Sequence, residues 1–218
     1  NSSLHAGRPA NVSPRKPQQQ EMTDPTPPSP FILEQIDSWL AARPENAAKE
    51  PVELVDLACG KGRHINAICK RGYEVIFKIT VVDANRQILE KLTAGLEGRK
   101  EITAFCLDLE RKGLVLAEAL DDRLFDLVLV TNYLHRPVLG QIFALVRPGG
   151  LLLYETFGKG NEIFGRPSNP DFLLREGELA SALPDKFTIR HQFFGQRRDI
   201  YSDRPPAIIY QFAAQRHG

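Results

Sequence analysis

Three aspartates close three successive apolar runs: Asp56 in "VELVDL", Asp83 in "ITVVD" and Asp108 in "AFCLD". One acid at a strand end is ordinarily a turn former or a helix cap. Three at the same edge of a parallel sheet would line a groove with hydrogen-bond acceptors. A carboxylate ending the second strand of such a sheet can accept from both hydroxyls of a ribose. Asp108, ending the third, can accept from an exocyclic adenine amine. Between the first two runs stand Gly60 and Gly62, in "ACGKG". Side chains there would come between backbone and ligand, so glycine predicts close approach. The helix that follows aims its first N–H groups at the same place, which favours an anionic group.

The G-x-G pair is weak evidence alone, since a tight strand-to-helix turn that binds nothing would use it too. The dinucleotide fingerprint G-x-G-x-x-G also wants a third small residue where this chain has Ile65, and no G-x-x-x-x-G-K-[ST] loop is present. A second group of candidates follows the apolar run "LFDLVLVTN": Tyr133, His135 and Arg136. His135 could serve as a base near neutral pH. Arg136 could draw an anionic substrate. As plain structure, "LHRP" would cap the next helix, with Arg136 a surface charge. Glu155 could orient a substrate or pair with Arg136. No H-x-x-x-H or carboxylate cluster points to a metal.

These residues need a sheet to hold them. "PFILEQIDSWLAARP" places Ile32, Ile36, Trp39 and Leu40 at helical spacing, between a first-turn Pro30 and a terminating Pro44. Strands are predicted at 52–57, within "YEVIFKITVVDAN", in "EITAFCLDLE", in "LFDLVLVTN" and in "LLLYETF". Helices fall between them, near 62–71, 86–96, 112–120 and 138–146. The run "LVLV" is continuous and apolar, as a strand buried on both faces requires. A Gly/Pro/Asn-rich loop, 158–170, is long enough to be a lid. A helix near 175–183 and strands near 186–194 and 206–214 complete the chain. Strict β-α alternation ending in a hairpin predicts an α/β fold with a doubly wound, mostly parallel sheet.

Positive and negative side chains nearly balance, 28 against 27, for a net charge of +1. That argues against a broad nucleic-acid surface, which needs a concentrated basic patch. Arg197, Arg198 and Arg204 near the final turn are anion-binding candidates or plain surface. The three cysteines, Cys59, Cys69 and Cys106, form no C-x-x-C pair and read as buried thiols of a reducing compartment. No stretch has the length of a membrane span or the pattern of a secretion signal, so the cytoplasm is expected. Seven of the 16 prolines fall in the first 30 residues, which bury too little to offset ordering and read as tail over 1–29. Met22 is the sole methionine, so 1–21 read as an expression leader and 30–214 as one domain opened by a helix. The pattern carries no signal for an oligomer.

"VDLACGKGRH", "VVDAN", "CLDLE", "FDLVLVTNYLH" and "VRPGGLLLYETF", in this order and spacing, resemble the successive motifs of class I S-adenosylmethionine-dependent methyltransferases. The resemblance covers roughly residues 30–214. The stretch "NYLHRP…RPGGLLLYETF…GNE…NPDFLL" further resembles the small bacterial tellurite- and thiopurine-type enzymes. The family implies a Rossmann-like, seven-stranded sheet with a reversed last strand. It also implies S-adenosylmethionine as cofactor. Asp56, Cys59, Gly60 and Gly62 would then border its methionine part, with Arg63 a further candidate. Asp83 would hold the ribose and Asp108 with Leu109 the adenine. Thr131 and Asn132 would face the methionine amino group or the sulfonium.

Methyl transfer is an in-line displacement that depends on alignment and exclusion of water. A base helps only where the nucleophile must lose a proton. The chain lacks the N/D-P-P-Y/F tetrad of amino-methylases acting on nucleic acid or glutamine, and the Pro-Cys pair used on cytosine. A small-molecule acceptor is therefore expected, with soft or anionic nucleophiles included, and no nucleic-acid or membrane partner. Two alternatives compete: a domain that binds S-adenosylmethionine without turnover, and an NAD-type reductase.

Overall fold

The computed structural model describes residues 26–96, 101–197 and 205–218. The proposed leader, 1–21, and the candidates Arg198 and Arg204 lie outside them. Chain order is α1 (Pro30–Ala41), β1 (Val52–Leu57), α2 (Arg63–Lys70), β2 (Phe77–Asp83), α3 (Arg86–Gly95) and β3 (Glu101–Cys106). Then come α4 (Leu116–Ala119), β4 (Phe125–Thr131), a 3-10 turn at Arg136–Val138, α5 (Leu139–Ala144) and β5 (Val146–Phe157). Two further 3-10 turns precede α6 (Glu178–Ala182), β6 (Phe187–Gln196) and β7 (Ile208–Arg216). The strands form one seven-stranded sheet in the order β3-β2-β1-β4-β5-β7-β6. β7 runs antiparallel to both neighbours and the other pairings are parallel, so the last strand is reversed as expected.

Pleat alternation builds a core on each face of the sheet. Val55, Leu57, Val128 and Val130 pack with Leu116 of α4, Ile142 and Phe143 of α5 and Leu179 of α6. Leu54, Ile79, Val81 and Leu129 pack on the other face with Ile32 and Ile36 of α1, Ile65 and Ile68 of α2 and Leu89 and Leu92 of α3. Ile65 is fully buried there. The place of a third fingerprint glycine is therefore a core position, where an isoleucine side chain contributes about 1.5–3 kcal/mol.

Several elements differ from expectation for local reasons. α4 has four residues, because Gly113 turns left-handed at φ +71 and the helix starts only after it. The helix expected at 138–146 begins as a 3-10 turn at Pro137 before continuing as α5. "RPGG" lies inside β5, which pairs Val146 with Phe125 and then shifts register before Leu151 joins Leu127. Cys106 is exposed on edge strand β3, whereas Cys59 is buried and Cys69 partly so. Among the described residues, no helix is long and apolar enough to cross a membrane.

Residues 26–29, read as tail, are held against the sheet. Ser29 is fully buried and caps α1. Its Oγ donates to Glu155 Oε2 at 2.7 Å, and its N–H donates to His64 Nε2 at 3.0 Å. Gln211 Nε2 also donates to Glu155 Oε2, at 2.8 Å. Glu155 is thus buried as the anchor of this segment.

Candidate active site

The strand order reverses between β1 and β4, the switch point where a doubly wound sheet binds its ligand. A cavity of about 600 Å³ opens there. The turn after β1 (Ala58, Cys59, Gly60 and Lys61) forms one side, and Arg63, Asn66, Ala67 and Lys70 line it along α2. Thr131 and Asn132 at the end of β4 close the far side, and Thr26, Pro27 and Pro28 cross the mouth. Arg63 Nη1 donates to Pro27 O at 3.2 Å and ties that crossing segment to α2.

Gly60 is the bare point of the turn. Its φ of +53 is left-handed, and a Cβ there would meet nothing within 4 Å, so the space above it is open. Gly60 N–H donates to Asp83 Oδ2 at 2.9 Å, which couples the turn to the end of β2. The other Asp83 oxygen accepts from Asn85 N–H at 2.9 Å. Asp83 lies outside the cavity lining and stands on the rim beyond Gly60.

Gly62 serves a different purpose from the one expected. A Cβ at Gly62 would lie 2.5 Å from Leu92 Cδ1, so the missing side chain lets α2 pack against α3 rather than admitting a ligand. Its φ of +69 adds a conformational penalty for any other residue. Gly62→Ala is expected to destabilise the protein by about 1–2 kcal/mol, while S-adenosylhomocysteine affinity stays within about twofold. Thermal unfolding and calorimetry on the one variant check both halves.

Asp56 lies beneath the turn with 1% of its surface exposed, and neither carboxylate oxygen has a hydrogen-bond partner among the described residues. Burial pushes its pKa up to about 7; Arg63 pulls it down and Asp83 pushes it further up. The folded pKa exceeds the ordinary value of 3.8. The contribution of Asp56 to stability is therefore present below about pH 4 and lost as pH rises through about 7. Asp56→Asn should flatten that part of the stability profile, a difference of the order of 4 kcal/mol. Denaturant unfolding between about pH 4 and pH 8 measures it; parallel profiles for the two proteins would contradict this environment. Burial, then Asp56 and Asp83, push the Cys59 thiol well above its ordinary range.

The remaining candidates scatter around the rim. Asp108 is exposed and accepts from Glu110 N–H at 2.9 Å, while Leu109 is buried in the core on the α4–α6 face. Asn132 takes a left-handed φ of +54, and its N–H donates to Glu155 O at 2.9 Å. Tyr154 Oη donates to Tyr133 O at 2.7 Å, fixing the same turn. The Tyr133 hydroxyl is buried without a hydrogen-bond partner among the described residues, and burial followed by Glu110 and Asp108 pushes its pKa up.

His135 and Arg136 lie outside the cavity lining. His135 precedes the 3-10 turn, with no capping bond from its side chain. Arg136 does not reach Glu155. Its Nε and Nη2 donate to Glu178 at 2.6 and 3.1 Å, and it also donates to the carbonyls of Asp171 and Leu173 at 2.8 and 3.0 Å. That guanidinium fastens α6 and the preceding loop to the end of β4. The 158–170 loop is itself pinned: Gly158 N–H donates to Ile208 O at 2.9 Å and Lys159 N–H to Leu174 O at 2.8 Å. Asn161, buried within it, donates to Pro167 O and accepts from Ile208 N–H at 3.1 Å each.

Thr26–Pro28, Lys61, Asn66 and Lys70 line the cavity without having been marked by the sequence. For the first three, the one available signal was Ser29 standing as an N-cap before Pro30; Lys61 in the turn and Asn66 and Lys70 of α2 had none.

Residues 54–150 match the family model described as a methyltransferase domain. No curated protein matches the chain in sequence. Among solved structures, the fold is similar to TehB from Haemophilus influenzae, with a TM-score of 0.60 and 16% identity over 84% of this chain and 61% of that one. The chain thus spans under two thirds of the TehB chain. The N-methyltransferase NodS from Bradyrhizobium japonicum WM9, in complex with S-adenosyl-L-homocysteine, aligns with a TM-score of 0.54 and 14% identity over 86% and 88% of the two chains. The [4+2]-cyclase SpnF aligns with a TM-score of 0.57 and 16% identity over 84% and 80%. These are likenesses of fold. Residues 54–150 thus carry a methyltransferase domain. The match displaces the nicotinamide-reductase alternative.

Proposed function

We propose that this protein transfers the methyl group of S-adenosylmethionine to a small-molecule acceptor, not to nucleic acid. One observation carries the reading: a bare, left-handed Gly60 borders a cavity at the switch point, four residues after Asp56, whose buried carboxyl lies outside the cavity lining and has no hydrogen-bond partner among the described residues. The cofactor, when bound, supplies an activated methyl on a sulfonium that becomes neutral as it leaves.

The residues present fit such a group. Asp56 has two acceptor oxygens for an ammonium, and Cys59, Gly60, Arg63, Thr131 and Asn132 would border the methionine part. Asp83, already set by Gly60 N–H, keeps lone pairs for ribose hydroxyls. Asp108 and Leu109 would hold the adenine. Thr26, Pro27 and Pro28 add a further wall to the cavity. Support for a small acceptor comes from the near-neutral charge and the limited cavity volume. The reduced cysteines suit a cytoplasmic enzyme.

Incubation with labelled S-adenosylmethionine and a metabolite pool tests the reading. Transfer of label to a low-molecular-mass product is expected. Tight cofactor binding without turnover on any pool would favour the non-catalytic alternative.

A further inference from the structure

A cavity of about 620 Å³ opens at the other end of the strands, among Trp39, Arg43, Pro148, Gly149, Arg190 and Gln215. It shares no described lining residue with the cavity beside Gly60. One carbonyl ties its walls together. Trp39 Nε1 donates to Gly149 O at 3.2 Å, and Gln215 Nε2 donates to the same oxygen at 3.0 Å. Gln215 Oε1 in turn accepts from Arg190 Nε at 3.0 Å and from Nη2 at 2.7 Å, which fixes that guanidinium on β6 by two of its nitrogens. On the α1 side, Arg43 Cζ stands 5.4 Å from the centroid of the Trp39 ring, and Arg43 Nη2 donates to Glu50 O at 3.1 Å. Arg43 Nη1 is buried with no hydrogen-bond partner among the described residues. Asp126, a carboxylate in the lining, is already neutralised: it accepts twice from Arg147 Nη1, at 2.9 and 3.0 Å, and from Glu53 N–H at 2.9 Å. Neither Arg43 nor Arg190 has an ion-pair partner among the described residues.

We propose that this cavity is a second binding site, for a small organic anion that presents a carboxylate or phosphate group on an apolar body. A guanidinium is planar and permanently charged, and its paired N–H donors match either oxyanion. Two of them border this cavity from different walls, one stacked on an indole and the other held by an amide. Fixing both before a ligand arrives lowers the ordering cost of binding. A buried guanidinium donor without a partner is costly, and an anion in the cavity offers Arg43 the acceptor it lacks. Trp39, Pro44, Pro148 and Leu151 supply apolar surface for the body of the ligand. The volume lies within the roughly 300–1,000 Å³ usual for small-molecule sites. The site is separate from the place of methyl transfer, because the cofactor cavity ends on Thr131 and Asn132 whereas this one begins at Asp126, at the start of the same strand.

Trp39 is the sole tryptophan of the chain, so its emission reports on this cavity. The test titrates 3-phenylpropanoate and phenyl phosphate into the full chain, with 3-phenylpropanamide and phenol as uncharged controls, and follows tryptophan fluorescence. At least one anion is expected to change the emission saturably, while its uncharged control does not. The tighter of the two anions tells carboxylate from phosphate. Arg190→Gln should weaken that binding by about tenfold or more, the loss of one charge-assisted pair, and leave the thermal midpoint unchanged. Arg43→Gln, which also alters the surroundings of the indole, should show the same loss by calorimetry. Excess S-adenosylhomocysteine should not displace the anion. Displacement, no saturable response to either anion, equal binding of anion and control, or wild-type affinity in Arg190→Gln would overturn the proposal.

Discussion

Gly60→Val is expected to abolish measurable S-adenosylmethionine binding while the protein still folds. Among the described residues a Cβ at this position meets no atom within 4 Å, so the branch point of the added side chain enters the open space above the turn. The left-handed φ of +53 adds strain for a β-branched residue, of the order of 1–2 kcal/mol. That is a loss most domains tolerate. Calorimetric titration beside a thermal melt separates the two effects. A folded variant that still binds with wild-type affinity would show that no ligand approaches the backbone at Gly60.

Asp83→Ala should weaken S-adenosylmethionine binding by at least about tenfold, because it removes a charge-assisted acceptor for the ribose. The structure gives this substitution a second effect. Asp83 Oδ2 is also the acceptor for Gly60 N–H, so its loss frees the turn that forms the cavity edge. Asp83→Asn keeps an acceptor in the same place and should recover part of the affinity. Equal affinities for wild type and Asp83→Ala would remove Asp83 from the site.

The strands and the switch point were legible because apolar runs ending in acids report directly on buried parallel strands. Val52–Leu57, Phe77–Asp83 and Phe125–Thr131 fell where patterning put them. Gly62 shows where such reading stops. Sequence marks a glycine as special but does not say which neighbour needs the space, and here it is Leu92, thirty positions along the chain. Arg136 had the same weakness, since its partner Glu178 lies across a long loop and no local pattern announces the pair. His135 looked poised because it follows β4 closely, but the left-handed turn at Asn132 redirects the chain. Thr26–Pro28 were hidden by composition: a proline-rich stretch reads as tail until Ser29 is seen buried against Glu155. The fold class needed only periodicity, whereas the cavity walls depend on contacts between residues far apart in sequence.

A crystal structure of the protein grown with S-adenosylhomocysteine tests the central claim most directly. The account predicts the homocysteine part above Gly60 and within reach of Asp56, with the ribose hydroxyls on Asp83. Ligand density elsewhere on the surface, with Asp56 and the Gly60 cavity untouched, would contradict it.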